Sequence, residues 1–284
     1  MQDFVSIVIS GLLMGSIYAL LAGGLSLIWG VMRIINLAHG EFLMLGCFAT
    51  WYLFGATGIM PLLAIPLTAP LFFAFGALVY LLIVRRIVGA PELMTLLLTF
   101  GISIFLINVS VIAWSAEMRI ADAVRGSFEI GGVFISKPRL LAGLVAVAIS
   151  IGMYLFLQRT RTGAAIRAVA YDRETAEQCG INANLVYLLV FALGTVLAAA
   201  AGGLASTIFA FNPLIGQAFI LKAFAITVLG GMGNFLGALI AALILGVVEQ
   251  VTTFVLDAHI ASAIAFVVII LTLLIRPQGI MGAR

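Results

Sequence analysis

The sequence predicts an all-α fold, a polytopic integral membrane bundle of about 8–9 transmembrane helices forming one domain over residues 1–284. Three observations predict it. Hydrophobic residues make up 64% of the chain and charged residues only 9%, against about 25% charged in soluble domains. Mean hydropathy is +1.28, so too little polar surface exists to cover a water-facing globule. Several apolar runs exceed the roughly 20 residues that a helix needs to cross about 30 Å of hydrocarbon. The runs are continuous, which excludes an outer-membrane barrel with its alternating strands. Soluble enzyme classes are excluded with it.

The spans follow in order. The first runs from about Phe4 to Gly30, and a polar patch, Arg33 to Glu41, follows it. MQDFVSIVIS lacks a basic n-region and a cleavage site, so it reads as part of the first span and not as a removed signal. Phe42 to Thr57 is a short second run, and Pro61 to Val84 is the third, ended by Arg85 and Arg86. Leu93 to Trp114 is the fourth, followed by a polar loop from Ser115 to Pro138. Arg139 to Leu157 is the fifth, and Gln158 to Asn184 is the longest polar stretch. Leu185 to Phe209 is the sixth, Phe219 to Leu229 is too short to cross comfortably, and Phe235 to Leu256 and Ile260 to Ile275 complete the set. Short or broken segments are therefore expected near 36–57 and 212–233.

Charge sets the orientation. One set of loops carries Arg85, Arg86, Arg159, Arg161, Arg167, Arg173, Arg276 and Arg284. The opposite set carries Arg119, Arg125, Lys137 and Arg139, mixed with Glu117, Asp122 and Glu129. The first set is expected in the cytoplasm, together with the C-terminus. The side of the N-terminus depends on whether both short runs cross. The net charge of +3 is scattered and forms no basic stripe, so nucleic acid is not an expected partner. Membrane lipid is.

An internal echo links the two ends. Ala22-Gly23-Gly24-Leu25 recurs as Ala201-Gly202-Gly203-Leu204, and each is followed by Asn-x-x-x-Gly, at Asn36–Gly40 and Asn212–Gly216. If the echo is a repeat, halves of about 1–157 and 185–284 share a fold and a pathway lies between them.

The stretch 158–184 is the most informative. From Gly163 to Cys179 its apolar residues fall at helical spacing, with Arg167, Asp172, Arg173, Glu174 and Glu177 on the rest. A short amphipathic helix dominated by Ala suits a protein groove better than a lipid surface, and a solvated connector is the plainer alternative. Gly230, Gly231 and Gly233 interrupt an apolar segment. Glycine costs about 1 kcal/mol in a helix interior relative to Ala, so the run marks either a break beside a pathway or close helix packing. Asn36, His39 and Glu41 sit between apolar runs. A proton relay and helix capping with backbone bonds are the two readings. Glu249 lies inside a span as a buried carboxylate, paired or protonated. Lys222 either snorkels to the interface or meets substrate. No metal spacing exists: Cys47 and Cys179 stand apart, require no disulfide, and His259 has no companions. No Walker motif, nucleophile elbow or zinc-protease motif occurs, so the chain harvests no nucleotide energy itself.

The patch INLAHGE (Ile35–Glu41), the loop GAAIRAVAYDRETAEQCGIN, FNPLIG (Phe211–Gly216), KAFAITVLGGMGN (Lys222–Asn234) and the terminal RPQGIMG resemble, in this order, the H-type permease subunits of branched-chain amino acid ABC importers. The resemblance implies a bacterial inner-membrane permease. Its partners would be a homologous second permease of the M type, two cytoplasmic ABC ATPases and a periplasmic substrate-binding protein. It implies no cofactor in this chain, with ATP and magnesium held by the ATPases. It makes residues 158–184 the coupling loop, carried by Arg167, Asp172, Glu174, Ala176, Gly180 and Ile181, although Thr175 departs from the Glu-Ala-Ala-x-x-x-Gly pattern. Translocation candidates are Asn36, His39, Glu41, Asn212, Lys222, Gly230, Gly231, Gly233 and Glu249. Permeases of the same type for urea or short amides, and an ATP-independent secondary transporter, are the alternatives.

Overall fold

A computed structural model describes residues 2–130, 133–276 and 278–282. Arg284 of the expected cytoplasmic arginine set, Pro277 of the RPQGIMG motif and the side chain of His259 lie outside the described residues. The fold is helical. Its elements are α1 (Gln2–Met32), α2 (His39–Thr57), α3 (Pro61–Leu82), α4 (Glu92–Trp114), β1 (Ser127–Ile130), β2 (Val133–Ser136), α5 (Lys137–Arg159), α6 (Arg161–Tyr171), α7 (Arg173–Gln178), α8 (Ala183–Ala205), α9 (Ile215–Gly230), α10 (Phe235–Val255) and α11 (Ala258–Ile275). Among the described residues, six helices are long and apolar enough to cross a membrane: α1, α3, α4, α5, α8 and α10.

Some boundaries move from where hydropathy places them. The expected sixth span to Phe209 stops as a helix at Ala205, and residues 206–214 are irregular. α9 starts at Ile215, four residues before the apolar run. The polar loop 115–138 is not wholly irregular. β1 and β2 pair antiparallel in it, Ser127 opposite Ser136. Its first part is tied to the segment after α8, where Arg119 and Phe211 exchange backbone hydrogen bonds of 2.8 Å each way and the Ala121 amide donates to Ser206 O.

Two antiparallel pairs frame the bundle. α1 runs against α10, where β-carbons added at Gly11 and Gly15 would lie 2.7 Å from Val247 and Ala242 respectively, and one at Gly30 would lie 2.8 Å from Gly233 in the turn before α10. α8 runs against α3, where Gly76 meets Thr195 and Gly203 meets Ile65. Glycine replaces side-chain interdigitation with backbone contact, which suits helices that have no hydrophobic drive to associate in lipid.

The segment after α1 turns back into the protein. Arg33 ends α1 in a left-handed conformation (φ 53°), its amide donating to Trp29 O at 2.8 Å. The chain then doubles back until His39 Nε2 lies 2.9 Å from Leu21 O, about 16 Å in from the end of α1 at helical rise. α2 starts there and runs toward the hairpin end, where Phe48 stacks on Trp114. α9 starts at the same depth and runs the opposite way. An added β-carbon at Gly40 would lie 2.4 Å from Gly216 O, and one at Gly216 2.7 Å from Gly40 O. The two Asn-x-x-x-Gly motifs thus end in glycines that touch.

The tightest of these contacts is Gly202 against α2, where an added β-carbon would lie 1.9 Å from Leu43 O. Gly202→Val is expected to cost at least about 3 kcal/mol, seen as loss of the monodisperse peak in size-exclusion of detergent-solubilised protein after a heat step. Gly101→Ala, facing open space in α4, is expected to be neutral or to stabilise by up to about 1 kcal/mol in the same assay.

Candidate functional site

At the arginine-rich end, residues 158–184 fold back onto the bundle. They form two helices, not the single one expected over Gly163–Cys179. The break is at Asp172, whose backbone is extended and whose side chain starts α7. Asp172 Oδ1 accepts from the Glu174 amide (2.9 Å) and the Thr175 amide (3.2 Å), and Oδ2 accepts from the Thr175 hydroxyl (2.7 Å). These bonds, led by the Thr175 hydroxyl, hold the Asp172 carboxyl below its ordinary pKa. The departure at Thr175 therefore has a local role, since alanine there would lack that bond. Gly180 closes α7 in the left-handed region (φ 84°), with the Ile181 amide donating to Ala176 O at 3.1 Å.

The apolar face of this arm is not free for a partner. Ile166, Val169 and Ala176 are buried, with α6 packed on α1, α5 and α8. Arg167 donates to Leu157 O at the end of α5. What faces outward is polar, apart from Tyr171 at 91% exposure: Asp172, Glu174, Glu177 and Cys179. The Glu174 side chain forms no hydrogen bond or ion pair among the described residues. Two cavities of about 560 and 530 Å³ flank α6. Arg33, Glu92, Tyr171 and Arg173 line the first, and Arg167, Met232, Gly233 and Met281 the second.

In the centre, Asn36, His39 and Glu41 come together with residues of α4 that the sequence reading missed. All three are buried. Neither His39 nor Glu41 caps α2, whose N-terminus receives no side-chain cap. His39 instead bonds α1 through Leu21 O, and Glu41 Oε1 accepts from Ser103 Oγ at 3.0 Å. Thr99 Oγ1 donates to Ile35 O (2.9 Å) and accepts from the Leu37 amide (3.2 Å), pinning the returning segment. Both polar atoms of the Asn36 amide and Glu41 Oε2 lack a partner among the described residues. Thr95, Thr99 and Ser103 recur every fourth residue and are buried. That polar stripe within an apolar run was the available signal.

Asn212 belongs to the matching turn, its Oδ1 accepting from the Leu214 amide at 3.0 Å, and does not join the cluster. Gly230, Gly231 and Gly233 do form a break. Gly231 and Gly233 have φ of 98° and 85°, and the run packs against Gly237, Gly282 and Gly30. Lys222 does not snorkel. Its Nζ donates to Glu249 Oε1 and, at 3.0 Å, to the Tyr18 hydroxyl, so Glu249 is paired. Among the described residues no three His, Cys, Asp or Glu side chains cluster to hold a metal.

Interrupted helices that meet within the bundle, around ionisable groups and beside a folded polar arm, are the arrangement expected of a membrane transport component. The family model for the branched-chain amino acid transport system permease component matches residues 7–273, and the chain belongs to that family. It is 35% identical, over 96% of its own length and 94% of the relative's, to the high-affinity branched-chain amino acid transport system permease protein BraD of Pseudomonas aeruginosa. It is 31% identical to the corresponding protein LivH of Escherichia coli K12, over 98% of this chain and 96% of that one. The probable branched-chain amino acid transport permease protein LivH of Methanocaldococcus jannaschii is 29% identical over 94% and 89%. No solved structure matches the chain significantly.

The Asp172 cap has a signed pH dependence. Because its folded-state pKa is depressed, its contribution is present above the ordinary carboxylate value and is lost as pH falls through the folded value. Asp172→Ala is expected to remove it at every pH. The check is faster hydrogen–deuterium exchange of the Glu174 and Thr175 amides in the variant at neutral pH, with wild type approaching the variant on acidification.

Proposed function

We propose that this chain is one of two permease halves of an ATP-driven importer of branched-chain amino acids in a bacterial inner membrane. The observation that carries the reading is the match to relatives so named along nearly the whole of both chains. The arm at the arginine-rich end supports it further.

In this reading α1, α3, α4, α5, α8, α10 and α11 each cross, and α2 and α9 complete two further crossings with the extended segments before them. That reaches the upper end of the expected range and places the start of α1 outside and the C-terminus in the cytoplasm. The touching of Gly40 and Gly216, and the matched pairs α1–α10 and α3–α8, support an inverted repeat. The centre of the repeat then borders the translocation region, with Asn36, His39 and Glu41 sealed on the side of one half and Lys222 and Glu249 left partly open on the side of the other. Gly230, Gly231 and Gly233 supply the break beside it, and Asn212 shapes the turn that leads in.

The partners are a homologous M-type permease, two cytoplasmic ATPases that hold ATP and magnesium, and a periplasmic binding protein that selects the substrate. The ATPases meet the outward face of α6 and α7, at Tyr171, Asp172, Glu174 and the turn at Gly180 and Ile181. Ile166, Val169 and Ala176 anchor the arm from beneath, and the exposed Arg167 bonds it to the end of α5. Closure of the ATPases then moves a rigid body, because the arm is packed onto α1, α5 and α8 and bonded to the end of α5.

Glu174→Lys separates docking from folding, since this exposed side chain forms no hydrogen bond or ion pair among the described residues. Stability is expected within about 0.5 kcal/mol of wild type, while ATPase co-purification and binding-protein-stimulated hydrolysis fall. Retention of both would place docking elsewhere. Cys179 is exposed on the same face. An impermeant maleimide added to intact cells is expected to leave it unlabelled and to label it once the membrane is opened.

A further inference from the structure

The ion pair between α9 and α10 is unlike the other polar groups of the membrane region. Asn36, His39 and Glu41 are sealed inside the bundle. The Lys222 and Glu249 side chains keep 16% and 13% of their surface exposed. The pair lies within the spans: Glu249 is about 21 Å along α10 from its first residue and about 9 Å from its last at helical rise. It opens onto a face of α9 where Gln217, Ala218 and Leu221 are exposed. An ion pair and a primary amide turned toward hydrocarbon are costly. Asn108, also exposed in a span, differs in that its amide donates to Ile104 O of its own helix at 2.8 Å. No hydrogen bond to the side chain of Gln217 is formed among the described residues. The α9 face is therefore built for water or for a polar occupant.

The pair is assembled from three helices. Lys222 Nζ donates to Glu249 Oε1 and to the Tyr18 hydroxyl, and stands 4.9 Å from the Tyr18 ring centre and 5.8 Å from that of Phe219. One fixed cation and one fixed anion, side by side and next to the exposed aliphatic surface of Leu221, match a zwitterion with an apolar side chain. We infer that Lys222 and Glu249 are a way-station for the amino acid itself, the substrate carboxylate taking Lys222 and its ammonium taking Glu249 while the exposed Leu221 meets the side chain. The exchange replaces one neutralised pair by two, so no net charge is created in the membrane. Because each new contact replaces one that the protein already makes, the substrate is held without being trapped. When it leaves, the protein pair re-forms and closes the site behind it. This inference rests on the transport reading above.

The test uses the assembled complex in proteoliposomes, with binding protein and leucine. Wild type is the control. If it fails to take up leucine, the transport reading falls and the way-station falls with it. The informative variant is the double replacement Lys222→Met and Glu249→Met, because an ion pair of purely structural value is commonly replaceable by apolar groups of similar volume. The expected result is an assembled complex in which the rate of leucine uptake drops about tenfold or more. Uptake near the wild-type rate overturns the way-station and leaves the transport reading standing. A second measurement does not depend on that variant folding. Leu221→Cys, on the exposed face, is expected to react with a water-soluble methanethiosulfonate in the complex, and saturating leucine-loaded binding protein under turnover is expected to slow the reaction several-fold. No reaction, or a rate indifferent to substrate, overturns the inference.

Discussion

Hydrocarbon offers no hydrogen bonds, so a chain that stops being helical inside a membrane must hide every exposed amide and carbonyl within protein. The helical path of this chain turns back into the bundle at 33–38 and at 206–214, and much of its architecture serves those two places. Thr99 satisfies Ile35 O and the Leu37 amide at the first. At the second, backbone bonds from Arg119 and Ala121 hold the chain. The glycine contacts of α1 with α10, α8 with α2 and Gly40 with Gly216 bring whole helices close enough to wall the breaks off. A side chain at those positions would force the walls apart.

The polar residues of the interior divide into two kinds by what they touch. Asn36, His39 and Glu41 are sealed and bond across to α1 and α4, so they tie the returning segment to its neighbours. Lys222 and Glu249 keep some surface open, with Lys222 also bonded to the hydroxyl of the buried Tyr18. The first kind fixes a shape. The second presents charge to whatever occupies the α9 face. α4 packs chiefly on α2 and turns its Thr95, Thr99 and Ser103 stripe inward, leaving large apolar side chains such as Phe105 and Ile112 outside.

The arm at the arginine-rich end inverts a common expectation for amphipathic helices. Its apolar stripe is spent on its own chain, and its outer face is polar, with Tyr171 as the one large exposed ring. The arm is fixed to the bundle it lies on. Burial of Ile166, Val169 and Ala176 and the Arg167 bond to Leu157 O provide that attachment. Any partner then meets a surface of caps and charges, shaped by Asp172 and by the left-handed turn at Gly180.

Composition and run length determined by themselves that this is a helical membrane protein, because 64% hydrophobic residues in continuous runs leave no other solvent open. The motif order determined the family, and helical spacing placed the arm. Glycine pairs and charges were visible as residues, and so was the polar stripe of α4, at every fourth position. Their partners were not. Hydropathy is a sum along the chain, and it cannot tell that Lys222 meets a carboxylate 27 residues away, that His39 bonds α1 where capping was expected, or that Asp172 splits one helix into two. Those outcomes depend on which helix faces which, and tertiary packing alone decided them, because a buried charge or amide settles on the partner that the folded backbone brings within bonding distance.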